Sequence, residues 1–124
     1  SALGIAPRAH FAGPQRDTVS WYAAADCFVL PTLYDPFPNA ALEALACGLP
    51  VITTLQSGAA ELLEPDLTGW VCDALDIESL ARHMSALDQA RSRAMGRQAR
   101  ALAERFPSST MVAQLLALYR RLLP

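Results

Sequence analysis

One stretch limits the fold more than any other: CFVLPTLYDPFPNAALEALACGLPVITT, from Cys27 to Thr54. Cys27 to Leu30 is a short, continuous apolar run that Pro31 stops at once. Such a run, without polar alternation, predicts a strand buried on both faces of a parallel sheet. Ala40 to Cys47 holds good helix formers throughout, with Leu42, Leu45 and Ala46 on its apolar face. Asn39 is expected to cap its start, and Gly48 followed by Pro50 marks its end. Val51 to Thr53 then reads as the next strand. A strand, a helix and a strand in such quick succession point to a parallel pair joined by a right-handed crossover.

The flanking sequence repeats the alternation. Ser1 to Pro7 carries no clear element. Arg8 to Ala12 reads as a short strand stopped by Gly13-Pro14. Asp17 or Thr18 can cap a helix whose apolar positions include Val19, Tyr22 and Ala23. Ser57 or Gly58 opens a short helix ending near Leu63. Asp66 to Gly69 is a turn, and Trp70 to Cys72 a fourth strand. Helices follow over Ile77 to Leu87, Ala90 to Arg105 and Ser109 to Leu122, the last two split at Pro107. The predicted fold class is α/β: a Rossmann-like open parallel sheet of about four strands, helices on both faces, and C-terminal helices beyond it.

Composition removes several function classes. The chain has 124 residues, enough for one domain at most. With 52 % hydrophobic and 18 % charged residues, intrinsic disorder is excluded. No apolar run approaches the roughly 20 residues of a membrane span, and no signal peptide opens the sequence. A net charge of −2 leaves no footprint for nucleic acid. The charge is unevenly spread: before residue 82 the only cations are Arg8 and Arg16, whereas after it the only acids are Asp88 and Glu104. An acidic body thus carries a basic helical tail, in which Arg93, Arg97 and Arg100 share one helical face. A solvated face is the plainer reading of that stripe; contact with anionic lipid or with another domain is the sharper one. The three cysteines, Cys27, Cys47 and Cys72, are odd in number and have apolar neighbours. They are expected to be reduced core thiols of a cytosolic protein, without zinc-ligand spacing.

Chemistry belongs at the carboxyl ends of the strands, where open parallel sheets bind ligands. The loop Leu33 to Asn39 leaves the first strand of the Cys27 to Thr54 unit at that edge and runs into a helix N-terminus, whose free N–H groups favour an anion. The amides of Asn39, Ala40 and Ala41 could face a diphosphate. Pro36 and Pro38 have no N–H, so the loop's remaining donors are residues such as Phe37. Asp35 in the loop and Glu43 in the helix can both face the crevice, where carboxylates accept hydrogen bonds from vicinal hydroxyls. An acid near a helix start often serves only the helix dipole, and for Asp35 that reading is equally good. Glu43 interrupts an apolar helix, and a buried acid costs several kcal/mol unless partnered, so function is favoured there. His10, on the predicted strand, and His83, in mid-helix, read as structural residues.

DPFPNAALEALACGLPVI resembles the acid-x7-acid signature of retaining glycosyltransferases with the GT-B fold, most closely family four, the glycosyl transferases group 1. WYAAADCFVLPT resembles the family's preceding helix-to-strand passage. SGAAELL resembles its Gly-Gly-x-x-Glu turn, and TGWVCDALDIESLARHM its following strand and helix. The resemblance runs in order from Phe11 to about Leu87. It implies that Glu43 holds the ribose hydroxyls of a nucleotide and that Asp35 stands where the first acid meets the donor sugar. It also implies that Phe37, Pro38, Asn39 and Ala40 line the sugar and diphosphate, and that Gly13 lies near the base at a strand end. Glu61 matches a family acid that more often starts a helix than binds a ligand. Asp35 is one methylene shorter than the usual Glu, and Pro36 replaces the usual Gly.

The resemblance further implies the later part of a C-terminal, donor-binding domain, with the N-terminal acceptor domain absent and the fragment inactive by itself. The donor is a nucleotide-diphosphate sugar, used as substrate, with no cofactor and no metal. The acceptor is a glycan, a lipid-linked or a small molecule, and polysaccharide or lipopolysaccharide biosynthesis is the expected setting. The expected location is the cytoplasm, with peripheral contact at the inner face of the membrane as an added expectation. Two other classes compete: a non-catalytic nucleotide-binding or interaction domain that keeps the fold, and another GT-B enzyme such as a sugar-nucleotide epimerase.

Overall fold

The computed structural model describes residues 3–123. After a 3-10 turn at Ala6–Arg8, the elements are α1 (Thr18–Ala23), β1 (Phe28–Leu30), α2 (Asn39–Ala46) and β2 (Val51–Thr54). A 3-10 helix at Gly58–Leu62 leads to β3 (Gly69–Cys72), α3 (Ile77–Ser85), α4 (Gln89–Ala103) and α5 (Ser108–Leu122). The strands form one parallel sheet in the order β1-β2-β3, with Phe28 opposite Val51 and Ile52 opposite Trp70.

The sheet has three strands, not four, because Arg8 to Ala12 does not pair. A strand needs a ladder for its N–H and C=O groups, and among the described residues none is offered to this segment. It stays extended and open, with Phe11 fully exposed. Burial on both faces holds for β2, whose four residues are all buried. β1 is an edge strand and is half-buried.

Alternation along β2 divides the core. Val51 packs with Ala41, Ala44 and Leu45 of α2, while Ile52 turns to Trp70 and Met95 with Leu80 of α3 alongside. α4 reaches both sides, giving Met95 to one cluster and Ala99, Leu102 and Ala103 to the other. Its close approach to α2 is made by two glycines. A Cβ on Gly96 would lie 2.1 Å from the Gly48 carbonyl oxygen, and Gly48 ends α2 with a φ of 78°. Arg100 adds a hydrogen bond of 2.5 Å to the Ala46 carbonyl and pairs with Glu104, so one residue of the arginine stripe caps α2. Arg93 and Arg97 are exposed, as a solvated face requires. α5 buries none of its residues, and Met111, Leu115, Leu118 and Leu122 stand open. Among the described residues no helix is long and apolar enough to cross a membrane.

Aspartates start three helices. Asp17, Asp76 and Asp88 accept hydrogen bonds from the amides of Ser20, Ser79 and Arg91. The Ser79 hydroxyl and amide hold the Asp76 carboxyl below its ordinary 3.8, and Ser20 does the same for Asp17. A depressed carboxyl gives stability that is complete above its unfolded pKa and is lost as pH falls through the folded one. Asp76→Asn keeps a neutral cap. Its melting temperature should therefore fall less than that of the wild type between pH 5 and pH 3, a difference that thermal melts at stepped pH would read.

The thiols are free. Cys72 is buried and Cys27 and Cys47 are half-buried, so only Cys72 meets the core expectation in full. Burial pushes the Cys27 thiol up to about 11, with the Asp26 charge adding to it.

Candidate functional site

The loops that leave β1 and β2 at the carboxyl edge are fastened to each other. Buried Thr53 and Thr54 donate their hydroxyls to the carbonyls of Leu30 (3.1 Å) and Thr32 (2.6 Å), fixing the exit of β1. The Asp35 amide then donates to Gln56 O at 3.2 Å, and the Gly58 amide donates to Asp35 O at 2.9 Å. Asp35 and Ser57 form a parallel bridge, which carries the ladder beyond the strands proper. Gly58 is obligatory here, since a Cβ would sit 1.8 Å from Pro36 O.

This fastening sets the loop before α2. Asp35 is half-buried, and its Oδ1 accepts from the Phe37 amide at 3.1 Å. The Phe37 amide, expected as a loop donor, is thus occupied, and Asp35 keeps Oδ2 for other partners. Pro38 is buried and takes the N-cap position in extended conformation, so Asn39 is the first helical residue, not the cap. No side chain caps α2. The Ala41 amide is taken by Pro38 O at 3.0 Å. Of the three expected donors, Asn39 and Ala40 keep their amides without a partner among the described residues. An uncapped helix start with two open amides at the carboxyl edge of a parallel sheet suits an anionic group.

Glu43 is exposed, so the cost of a buried acid does not arise. The reason lies in the phase of α2: Ala41, Ala44 and Leu45 face the core, and Asn39 and Glu43, four residues apart, share the outer face. The Glu43 carboxylate is not alone there. The Tyr22 hydroxyl donates to its Oε2 at 3.3 Å, and the Tyr22 hydroxyl oxygen also lies 3.5 Å from Ala40 O. Nothing in the sequence linked Tyr22 to Glu43, because the pair comes from separate helices and only packing brings them together.

Other expected residues fall outside this group. Gly13 lies in exposed, irregular chain with a φ of 64°, not at a strand end, and a Cβ there would meet nothing within 4 Å. Glu61 lies exposed in the 3-10 helix. His10 is exposed in irregular chain, and His83 stacks on Trp70 with centroids 5.3 Å apart. Trp70 donates its indole N–H to Asp66, which also pairs with Arg91 at 2.7 Å. A cavity of about 590 Å³ opens beside the loop, with Phe37, Leu42, Leu62, Phe106 and Met111 in its wall. The sequence carried no sign of it.

Comparison with known proteins shows the family and the fold. The family model described as Glycosyl transferases group 1 matches residues 1–89. The putative colanic acid biosynthesis glycosyltransferase WcaL of Escherichia coli K12 is 35 % identical over 82 residues, covering 61 % of this chain and 20 % of that protein. Among solved structures, sucrose-phosphate synthase from Thermosynechococcus elongatus superposes with a TM-score of 0.89 at 30 % identity, over 98 % of this chain and 32 % of that one. Anabaena Alr3699/HepE, solved in complex with UDP, gives 0.89 at 27 % identity, over 97 % of this chain and 34 % of that one. The chain therefore spans between a fifth and about a third of the length of these relatives.

Proposed function

Because the chain belongs to the glycosyl transferases group 1 family, we propose that it forms the donor-binding part of a retaining glycosyltransferase. It corresponds in this reading to the later part of a C-terminal GT-B domain. The donor is a nucleotide-diphosphate sugar, and the acceptor is a glycan, a lipid or a small molecule held by a separate N-terminal domain. The observation that carries the reading is the uncapped start of α2, with open amides at Asn39 and Ala40 and a carboxylate on the same face at Glu43. The UDP complex of the Anabaena relative supports a nucleotide as the ligand.

Each residue then has a task its surroundings permit. The amides of Asn39 and Ala40, with the dipole of α2 behind them, face the diphosphate and stabilise the charge that grows on it as the anomeric bond breaks. Glu43 accepts hydrogen bonds from the ribose hydroxyls. Asp35 has Oδ1 tied to the Phe37 amide and offers Oδ2 to a sugar hydroxyl. Phe37 and Pro38 shape the wall against the sugar. Catalysis rests on positioning and on electrostatics already in place, and none of these residues acts as a nucleophile.

The test is titration of the chain with UDP, GDP and ADP, followed by ligand-observed NMR and by chemical shifts of the Asn39 and Ala40 amides. One nucleotide should bind better than the other two and move both amides. Binding that leaves those amides unmoved would remove the helix start from the site.

A further inference from the structure

We propose that Tyr22 is a positioning residue for Glu43: its hydroxyl holds one carboxylate oxygen so that the other is presented to the ligand in a fixed direction. The inference rests on the reading of Glu43 as the acceptor of the ribose hydroxyls.

An exposed glutamate has three rotatable bonds, and binding must freeze them at an entropic cost. Here one oxygen is already engaged. Tyr22 Oη lies 3.3 Å from Oε2 of Glu43 and 3.5 Å from the Ala40 carbonyl. The hydroxyl has one proton to give, and the charged acceptor makes the stronger bond. Oε1 is left for a ligand.

A tether works only if its other end is fixed, and Tyr22 is fixed. Its ring packs edge-on against Phe28 of β1, with centroids 5.8 Å apart and planes at 71°. It also lies against the core cluster that contains Ala41 and Ala44 of α2. α1, which carries it, starts on the Asp17 cap. The phenol is pushed to higher pKa by burial first and by the Glu43 charge second, which agrees with a hydroxyl that remains a donor beside a carboxylate. Tyr22 thus ties the reach of Glu43 to the sheet through Phe28, and needs no ligand contact of its own.

Tyr22→Phe keeps the ring and its packing and removes only the oxygen. In the full chain, three-bond couplings of the Glu43 side chain should report one dominant χ1 rotamer in the wild type and averaging in Tyr22→Phe. UDP and GDP titrations should show binding of the preferred nucleotide weakened three- to tenfold by Tyr22→Phe. In a Glu43→Ala background the same change should have no further effect. Identical Glu43 couplings in wild type and Tyr22→Phe would overturn the proposal with or without nucleotide. So would full affinity in Tyr22→Phe while Glu43→Ala is weak, a result that leaves the nucleotide reading standing. If Glu43→Ala binds as tightly as the wild type, the reading of Glu43 as the acceptor of the ribose hydroxyls fails instead, and the couplings alone decide whether Tyr22 holds Glu43.

Discussion

Gly96→Val should destabilise the chain by about 3 kcal/mol, at the upper end of what overpacking costs. The first atom of any side chain at 96 would stand 2.1 Å from Gly48 O, and that neighbour is backbone, not a side chain that can swing away. Gly48 cannot readily retreat. It carries a φ of 78° at the end of α2, and its amide donates to Leu45 O. α4 would have to lift, pulling Met95, Ala99 and Leu102 out of both core clusters. A domain of this size has only about 5–15 kcal/mol in total. Urea unfolding would measure the loss, with Arg97→Val, one residue along and exposed, as the control for the helix propensity of valine. Equal midpoints for the two variants would mean that α4 does not sit as closely on α2 as described.

Glu43→Ala should weaken nucleotide binding by about 10- to 100-fold. Hydrogen bonds to a charged acceptor contribute about 1.5–3 kcal/mol, and each 1.4 kcal/mol is tenfold in affinity. The fold should not notice the change: Glu43 is exposed, and alanine is the best helix former. Loss of affinity at unchanged melting temperature is the expected pair of results, read by titration with the preferred nucleotide and by thermal denaturation. Unchanged affinity would remove Glu43 from the site.

The elements that the sequence made legible are those whose signals are local. The run at Phe28–Leu30, the alanine- and leucine-rich α2, the Gly48 stop and the aspartate before α1 all rest on residues a few positions apart, and these elements formed within a residue or two of expectation. Arg8 to Ala12 failed because strand pattern alone cannot supply a pairing partner. The exposure of Glu43 was misjudged for a related reason: neighbours in sequence are not neighbours in space on a helix. Leu42 and Ala44 flank Glu43 in the chain, but they point 100° to either side of it. Asn39 lost its capping place because buried Pro38 occupies it. The fastening of the Asp35 loop to Gly58, and the tether from Tyr22, join segments far apart in sequence, and no periodicity announces such contacts.

That fastening bears on how the molecule can move. A loop that continues a β-ladder through the Asp35–Ser57 bridge, with Gly58 pressed against Pro36, is a ledge and not a flap. Its shape is inherited from β2, the most deeply buried strand of the sheet. Substrate cannot be admitted or enclosed by swinging this loop alone. Any closing over a bound ligand would have to come from the sheet and its helices travelling as a block, with the ledge carried along unchanged.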